Sequence, residues 1–291
     1  MMIIAKKKEF KILQFTDIHI GESPFNAEDI KTFEMIDQTL KETDADLICI
    51  TGDLIWSHGV NKPTKGLWAL AEIFNKYDLP LAITYGNHDS EETINRQDLH
   101  KIETEYFNNV VKKTDQYFDS NNKECFTINV LKNDSIVHVL YFIDSGADAL
   151  IDCEGYDWVS LEQIQWYEKT SANYLKQNER TIDLMFLHIP LPEYEKAGEH
   201  IIEGKFWEMN PRIASAQLNT GLFSRILYNN HIEGIFCGHD HDNNFEGIYL
   251  GKRLIYGNVT GYNCYGILPR GYREIKLTPE KMETTLQIFE K

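Results

Sequence analysis

The chain has 291 residues, of which 42% are hydrophobic, so it is long enough to bury a sizeable core. Its 45 acidic residues outnumber 29 basic ones and give a net charge of −16, which disfavours a broad nucleic-acid surface because phosphate contacts need clustered cations. An anionic substrate is still allowed, because a bound divalent metal can supply the local positive charge.

The first half of the sequence alternates apolar runs with segments of helical periodicity. Three apolar runs have the length of buried strands, at residues 11–16, 46–51 and 81–85. Apolar residues at helical spacing predict three helices, at residues 26–43, 64–76 and 91–107. This alternation predicts right-handed β-α-β crossovers and a largely parallel sheet.

The second half of the sequence predicts a mixture of strand pairs and helices. Residues 125–130 and 136–144 predict an antiparallel hairpin, and Ser160 to Gln163 has the form of a capping box. That box should open a helix that ends near residue 177. Further strands are predicted at residues 182–187 and 232–237, with a short helix at residues 222–228. Short strands are predicted in the tail, at residues 247–250, 254–257, 272–277 and 284–289.

Residues 193–220 have poor periodicity and mix Pro, Gly and aromatic residues. Because long irregular segments inside compact domains are usually functional, we predict that this stretch is an irregular loop near the site. We find no repeat or low-complexity segment and expect one domain over residues 1–291.

Polar side chains that can bind a metal follow five of the predicted strands. They are Asp17 and His19, Asp53, Asn87 and His88, His188, and His239 and His241. Ligands of open α/β sheets bind at the carboxyl ends of strands, so we expect these side chains to meet. Each motif alone has a plainer explanation, since Asn-His-Asp after a Gly makes an ordinary turn and a lone His188 can be a core histidine.

The chemistry of this set favours divalent metals. Carboxylates and imidazoles suit manganese, iron or zinc, whereas the lack of nearby thiolates disfavours a structural zinc cage. Seven ligands, leaving out His88, are too many for one ion and about right for two that share a carboxylate. Asp53, alone at the end of its strand, is the natural bridge.

The order and spacing of these motifs resemble the calcineurin-like metallophosphoesterases. The motifs are Asp17-x-His19, Gly52-Asp53, Gly86-Asn87-His88-Asp89, His188 and Gly238-His239-x-His241. The resemblance implies an α/β fold in which mixed sheets form a two-sheet β-sandwich core flanked by helices. Residues 238–243, 256–257 and 260–262 are further similar to a branch related to purple acid phosphatases.

The resemblance also implies roles for the individual residues. It implies two divalent ions, held by Asp17, His19 and His241 on one side, by Asn87, His188 and His239 on the other, and by Asp53 between them. His88 would then be the catalytic imidazole and Asp89 the group that orients it, unless Asp89 only caps the next helix. Purple acid phosphatases carry a Tyr three positions after the bridging Asp, whereas this chain has Trp56, so we expect a colourless enzyme.

Such a site implies the hydrolysis of phosphoric esters. Hydroxide bridging the two ions would attack phosphorus in line, and His88 would protonate the leaving group. We expect a phosphomonoesterase that acts on a small phosphorylated substrate. A phosphodiesterase acting on cyclic nucleotides or other diesters is the alternative enzyme, because the same ligands serve both reactions. A metal-binding scaffold is the alternative without enzymatic activity. The sequence leaves the physiological substrate, the native metals and the oligomeric state open.

The cysteines and the apolar stretches bear on the location of the protein. Five cysteines without a C-x-x-C pair fit reduced thiols in a cytoplasmic protein better than a disulfide framework. No signal-peptide core follows the early lysines, and no stretch is apolar for long enough to cross a bilayer. We therefore expect a cytoplasmic protein without a membrane partner.

Overall fold

The computed structural model describes residues 3–4, 9–149, 151, 155–177 and 182–289, which form two packed β-sheets with helices on their outer faces. Cys153 lies outside these residues. In chain order the strands are β1 (Ile3–Ile4), β2 (Phe10–Phe15), β3 (Leu47–Thr51), β4 (Leu81–Thr84), β5 (Thr114–Phe118), β6 (Glu124–Lys132), β7 (Ser135–Ile143), β8 (Asp183–Phe186), β9 (Ile201–Glu203), β10 (Ile232–Cys237), β11 (Glu246–Tyr249), β12 (Lys252–Tyr256), β13 (Gly271–Leu277) and β14 (Met282–Ile288). The helices are α1 (Ala27–Glu42), α2 (Thr64–Phe74), α3 (Arg96–Tyr106), α4 (Leu161–Gln177), α5 (Tyr194–Ala197) and α6 (Leu222–Asn229).

The smaller sheet has the strand order β14-β13-β2-β3-β4. The strands β2, β3 and β4 are parallel, as predicted, because α1 and α2 carry the chain back between them. Phe15 and Ile50 of this sheet pack against Ile36, Leu67 and Leu99 on the helices. The helix predicted from residue 91 begins later, at Arg96, because the Asn95 side chain accepts a hydrogen bond from the Asp98 backbone and caps it.

The larger sheet has the strand order β1-β6-β7-β8-β10-β12-β11-β9, with β5 also paired to β6. The predicted hairpin of β6 and β7 is confirmed, and the turn uses Asn133 and Asp134 in the left-handed region. Met185 and Ile235 on the outer face of this sheet pack against residues of α4 and α6, including Tyr167 and Ile226.

Residues 193–220 are less irregular than predicted. They contain the short helix α5 and the strand β9, which pairs with β11 at the edge of the larger sheet. Poor periodicity hid both elements, because one turn of helix and three residues of strand are too short to show a repeat.

The two sheets pack against each other through apolar side chains that alternate with the outward-facing ones. Four phenylalanines on neighbouring strands stack in a row, namely Phe126, Phe142, Phe186 and Phe236, with ring centroids 4.7, 4.9 and 5.1 Å apart. Ile12, Cys49 and Ile275 of the smaller sheet lie in the same layer. The predicted two-sheet α/β architecture is therefore confirmed. In the residues described above, no helix has both the length and the apolar character that a membrane span requires.

Candidate metal centre

The loops after five strands bring the seven predicted ligand side chains to one edge of the sandwich. Asp17 and His19 follow β2, Asp53 follows β3, Asn87 follows β4, His188 follows β8, and His239 and His241 follow β10. All seven are buried. The loops are joined by backbone hydrogen bonds, from Asp17 N to Gly52 O (3.1 Å) and from Gly238 N to His188 O (3.1 Å).

The side chains form two neighbouring groups, and Asp53 lies between them. Potential ligand atoms of Asp17, His19 and His241 lie within 4.8 Å of one another, and so do those of Asp53, His188 and His239. Asp53 Oδ2 lies 3.2 Å from His188 Nε2 and 3.5 Å from His19 Nε2, so this carboxylate stands between the groups. Asn87 Oδ1 lies 3.2 Å from His188 Nε2 and joins the second group.

Backbone groups fix the orientation of these side chains. His188 Nδ1 donates a hydrogen bond to the Thr51 carbonyl oxygen at 2.8 Å, which turns Nε2 towards Asp53 and Asn87. Both carboxylate oxygens of Asp17 accept hydrogen bonds from His239 N, at 3.0 and 3.1 Å. The ligand atoms are therefore held in place by the protein itself.

Four of these residues have backbones in the left-handed region, which few residues other than glycine adopt. The φ angles are 54° for Asp17, 51° for His19, 53° for Asp53 and 82° for His239. The adjoining loops also approach closely, since a Cβ on Gly86 would lie 2.1 Å from Asp53 Oδ1. These turns allow several side chains to converge within a small volume.

The residues fit a pair of divalent ions. Asp53 Oδ2, His19 Nδ1 and His239 Nε2 are buried without a hydrogen-bond partner in the described part of the chain, although buried polar atoms are normally bonded. Burial lowers the pKa of both His19 and His239 to about 3, so their rings are neutral, as metal binding requires. Burial opposes ionisation of Asp17, but the hydrogen bond and charge of His241, together with the charge of His188, outweigh burial and lower its pKa to about 2.

His188 carries a proton with which a metal must compete. Burial lowers the pKa of His188, but the neighbouring Asp53 carboxylate outweighs this effect and raises the pKa to about 9. A cation held by Asp53, His188 and His239 would need His188 in its neutral form, so metal affinity would depend on pH.

His88 lies beside the two groups without belonging to either. Its ring centroid is 5.3 Å from that of His19. Its Nδ1 lies 3.0 Å from Glu91 Oε1, and about a quarter of its side chain (24%) is exposed. Burial lowers the pKa of His88, but the hydrogen bond with Glu91 and the charge of Asp53 raise it above its ordinary value.

Asp89, which the resemblance implied would orient His88, makes its hydrogen bonds to the backbone instead. Its carboxylate accepts hydrogen bonds from backbone nitrogens, those of Gly86 (2.8 Å), Asp53 (2.9 Å) and Ile55 (3.1 Å). Asp89 therefore braces the two loops that carry Asp53 and Asn87, whereas Glu91 contacts the His88 ring. The sequence interpretation missed Glu91, although its position three residues after His88 was a usable signal.

The model of the family described as calcineurin-like phosphoesterase matches residues 10–243, which contain every side chain of the two groups. This chain belongs to that family. The matched range also includes His88, Asp89 and Glu91.

Relatives within the family differ in what their names say about activity. "Probable inactive purple acid phosphatase 29" of Arabidopsis thaliana is 27% identical over 296 residues, which are 89% of this chain and 73% of the relative. "Phosphatase DCR2" of Saccharomyces cerevisiae is 28% identical over 269 residues, which are 81% of this chain and 45% of the relative. Family membership therefore identifies a phosphoesterase domain and leaves the activity of this member to be tested.

Solved structures support the same calcineurin-like phosphoesterase fold. A dimetal phosphatase from Danio rerio matches with a TM-score of 0.65 at 13% identity and 97% coverage of each chain. "GAP50 the anchor in the inner membrane complex of Plasmodium" matches with a TM-score of 0.56 at 13% identity, over 98% of this chain and 86% of that one. At such identities the likeness shows the fold alone, and proteins with one fold can have different functions.

Trp56 stands three positions after Asp53, where the resemblance to purple acid phosphatases would lead one to expect a tyrosine ligand. Its indole stacks on the His88 ring with the centroids 4.3 Å apart and the planes 24° apart. An indole has no oxygen to offer a metal, so Trp56 acts on the site through His88 rather than as a ligand.

Another group with metal-binding residue types is formed by His100, Glu103 and Glu124, and it shares no residue with the first two groups. The Lys113 ammonium lies 2.7 Å from a carboxylate oxygen of each glutamate. This group is an ion cluster in which Lys113 offsets one of the two glutamate charges.

Proposed function

We propose that this chain is a metal-dependent phosphomonoesterase that uses two divalent ions of manganese, iron or zinc on a small phosphorylated substrate. The observation that carries the proposal is the position of Asp53 Oδ2, 3.2 Å from His188 Nε2 and 3.5 Å from His19 Nε2. One carboxylate between two sets of ligands is the arrangement that a two-ion site requires.

The residues divide between binding the ions and handling the substrate. Asp17, His19 and His241 would hold one ion, Asn87, His188 and His239 the other, and Asp53 both. When bound, such a pair neutralises the phosphoryl oxygens and makes water acidic enough to act as a nucleophile at neutral pH. In the described part of the chain no lysine or arginine forms an ion pair with these seven side chains, so the ions would be the positive charge among them.

His88 would donate a proton to the leaving group. Because Nδ1 contacts Glu91, Nε2 is the nitrogen that can give a proton to the departing oxygen. A well-placed general acid contributes about 10²–10⁴ in rate. We therefore expect His88→Ala to keep its metals and to lose most turnover of substrates with poor leaving groups.

The test compares p-nitrophenyl phosphate with bis-p-nitrophenyl phosphate in the presence of manganese. Faster hydrolysis of the monoester supports the proposal, and faster hydrolysis of the diester favours a phosphodiesterase. Asp53→Asn is expected to be inactive. Asp37→Asn is the matched control, because Asp37 pairs with Lys76 on the surface. Bound metal without hydrolysis of either ester would favour the scaffold, which the names of the inactive relatives also raise.

We also propose that the protein works in the cytoplasm, without a nucleic-acid or membrane partner. Cys49, Cys125 and Cys237 are buried free thiols and Cys264 is a partly exposed one, which suits a reducing compartment. Fractionation of cells that express the tagged protein tests the location. Recovery from an oxidising compartment would contradict it.

A further inference from the structure

We infer that Glu91 is a positioning residue that fixes the tautomer and the orientation of the His88 imidazole. This inference rests on the proposed function, in which His88 gives a proton to the leaving group. The sequence interpretation gave the orienting role to Asp89, whose carboxylate is occupied by three backbone nitrogens.

The Glu91 carboxylate has a fixed place because each of its oxygens has its own partner. Oε1 lies 3.0 Å from His88 Nδ1, and Oε2 accepts a hydrogen bond from the His58 backbone nitrogen at 2.9 Å. The Glu91 backbone nitrogen in turn donates to Ser57 Oγ at 2.9 Å. Ser57 and His58 belong to the loop that begins with Asp53, so Glu91 ties His88 to the loop of the bridging carboxylate.

Trp56 restricts tilting of the His88 imidazole, which the contact with Glu91 leaves free. Its indole stacks on the imidazole at 4.3 Å, so it limits tilting of the ring plane, whereas Glu91 limits rotation within that plane. An imidazole held on one face and at one nitrogen keeps a single orientation towards the metal groups. Because an ionised carboxylate can only accept hydrogen bonds, Nδ1 must carry a proton, and Nε2 becomes the nitrogen that serves the substrate.

The carboxylate also accepts a hydrogen bond from Ser57 Oγ to Oε2 at 3.3 Å, and its several donors make an isosteric substitution informative. Glu91→Gln has nearly the same shape but offers one acceptor oxygen, whereas His88 Nδ1 and the His58 nitrogen both need an acceptor. If the amide oxygen turns to His58, its NH₂ group faces Nδ1 and stabilises the tautomer without a proton there, so the ring can no longer hold a proton on Nδ1 while Nε2 gives one to the leaving group. The wrong tautomer of a catalytic imidazole has cost up to about 10⁴ in kcat in a serine protease.

The experiment measures kcat for two monoesters with different leaving groups on the metal-loaded protein. Loss of a general acid affects a poor leaving group, such as the alcohol of an alkyl phosphate, far more than p-nitrophenolate. We expect Glu91→Gln to lower kcat for the alkyl phosphate about 10-fold or more and to change kcat for p-nitrophenyl phosphate less than about 3-fold. Glu91→Asp, which withdraws the carboxylate by one methylene, should show the same selective loss.

The neighbouring glutamate supplies the matched control. Glu92 lies on the same turn, pairs with His58 Nδ1 at 3.0 Å and accepts from the Gly59 nitrogen at 3.2 Å. Glu92→Gln should therefore leave both rates unchanged. Equal losses for the two esters in Glu91→Gln, or no loss for either, would overturn the inference.

A spectroscopic measurement separates the inference from the proposed function. In ¹⁵N spectra of the zinc-loaded protein, recorded at a pH at which the imidazole is neutral, the one remaining proton of His88 should lie on Nδ1 in the wild type and in Glu92→Gln, and partly on Nε2 in Glu91→Gln. If the wild type hydrolyses neither ester, the proposed function fails, and this tautomer shift alone decides whether Glu91 positions His88. An unchanged tautomer in Glu91→Gln would refute the inference even in an active enzyme.

Discussion

Arg96 joins the two sheets at the edge that carries the metal-binding side chains, and its replacement by methionine should be costly. The buried guanidinium donates to both oxygens of Asp144, at 2.7 and 3.0 Å, and to the carbonyl oxygens of Gly86 (3.0 Å) and Gly146 (2.9 Å). Methionine fills much of the volume but leaves the Asp144 carboxylate buried without its cation. Breaking a buried pair in this way costs about 3–5 kcal/mol, so we expect Arg96→Met to lower the free energy of unfolding by that amount.

Urea unfolding of a double-mutant cycle tests this magnitude. Because Asp144→Asn removes the charge that Arg96→Met leaves unpaired, the double variant should lose about 1–3 kcal/mol less than the sum of the single losses. Arg212→Met is the control, since Arg212 forms an exposed pair with Glu195 at 3.7 Å and should change stability by less than about 1 kcal/mol. A loss below about 1 kcal/mol for Arg96→Met, or additive losses in the cycle, would refute the argument.

Three further predictions concern the metals and the core. Asp53→Ala should hold fewer than two ions per chain in metal analysis after desalting, because it removes the carboxylate between the two groups, and retention of two ions would contradict this. Phe186→Ala should cost about 3–5 kcal/mol in urea unfolding with the metal content unchanged, since its buried ring stacks between Phe142 and Phe236. The metal-loaded protein should be colourless, because residue 56 is a tryptophan, and a strong charge-transfer band in the visible spectrum would show this to be wrong.

The sequence predicted the parts of the fold that have strong local signals. Buried parallel strands appear in the sequence as apolar runs, and in this chain polar residues follow those runs. The sequence therefore predicted that Asp53 and His188 lie at the ends of strands. The start of α3 was misplaced because the capping box at Asn95 was not recognised. The helical interpretation of residues 91–95 also hid the turn in which Glu91 meets His88.

Contacts between distant segments could not be predicted in the same way. The strand β9 is three residues long and exists because β11 offers a partner, which no local pattern reveals. The bracing role of Asp89 depends on backbone nitrogens of the loop after β3, and the place of Trp56 depends on the His88 ring. Such features follow from the packing of loops, whereas sequence patterns report the elements between the loops.

The left-handed conformation of Asp17, His19, Asp53 and His239 would set selection for metal binding against selection for stability. Glycine adopts such angles without steric cost, so a lineage that no longer needed the ions could replace these residues by glycine and gain stability. Drift at these positions should therefore lead preferentially to glycine in members that have lost metal binding. The residues found at these four positions can then distinguish family members that have lost metal binding from those that retain it.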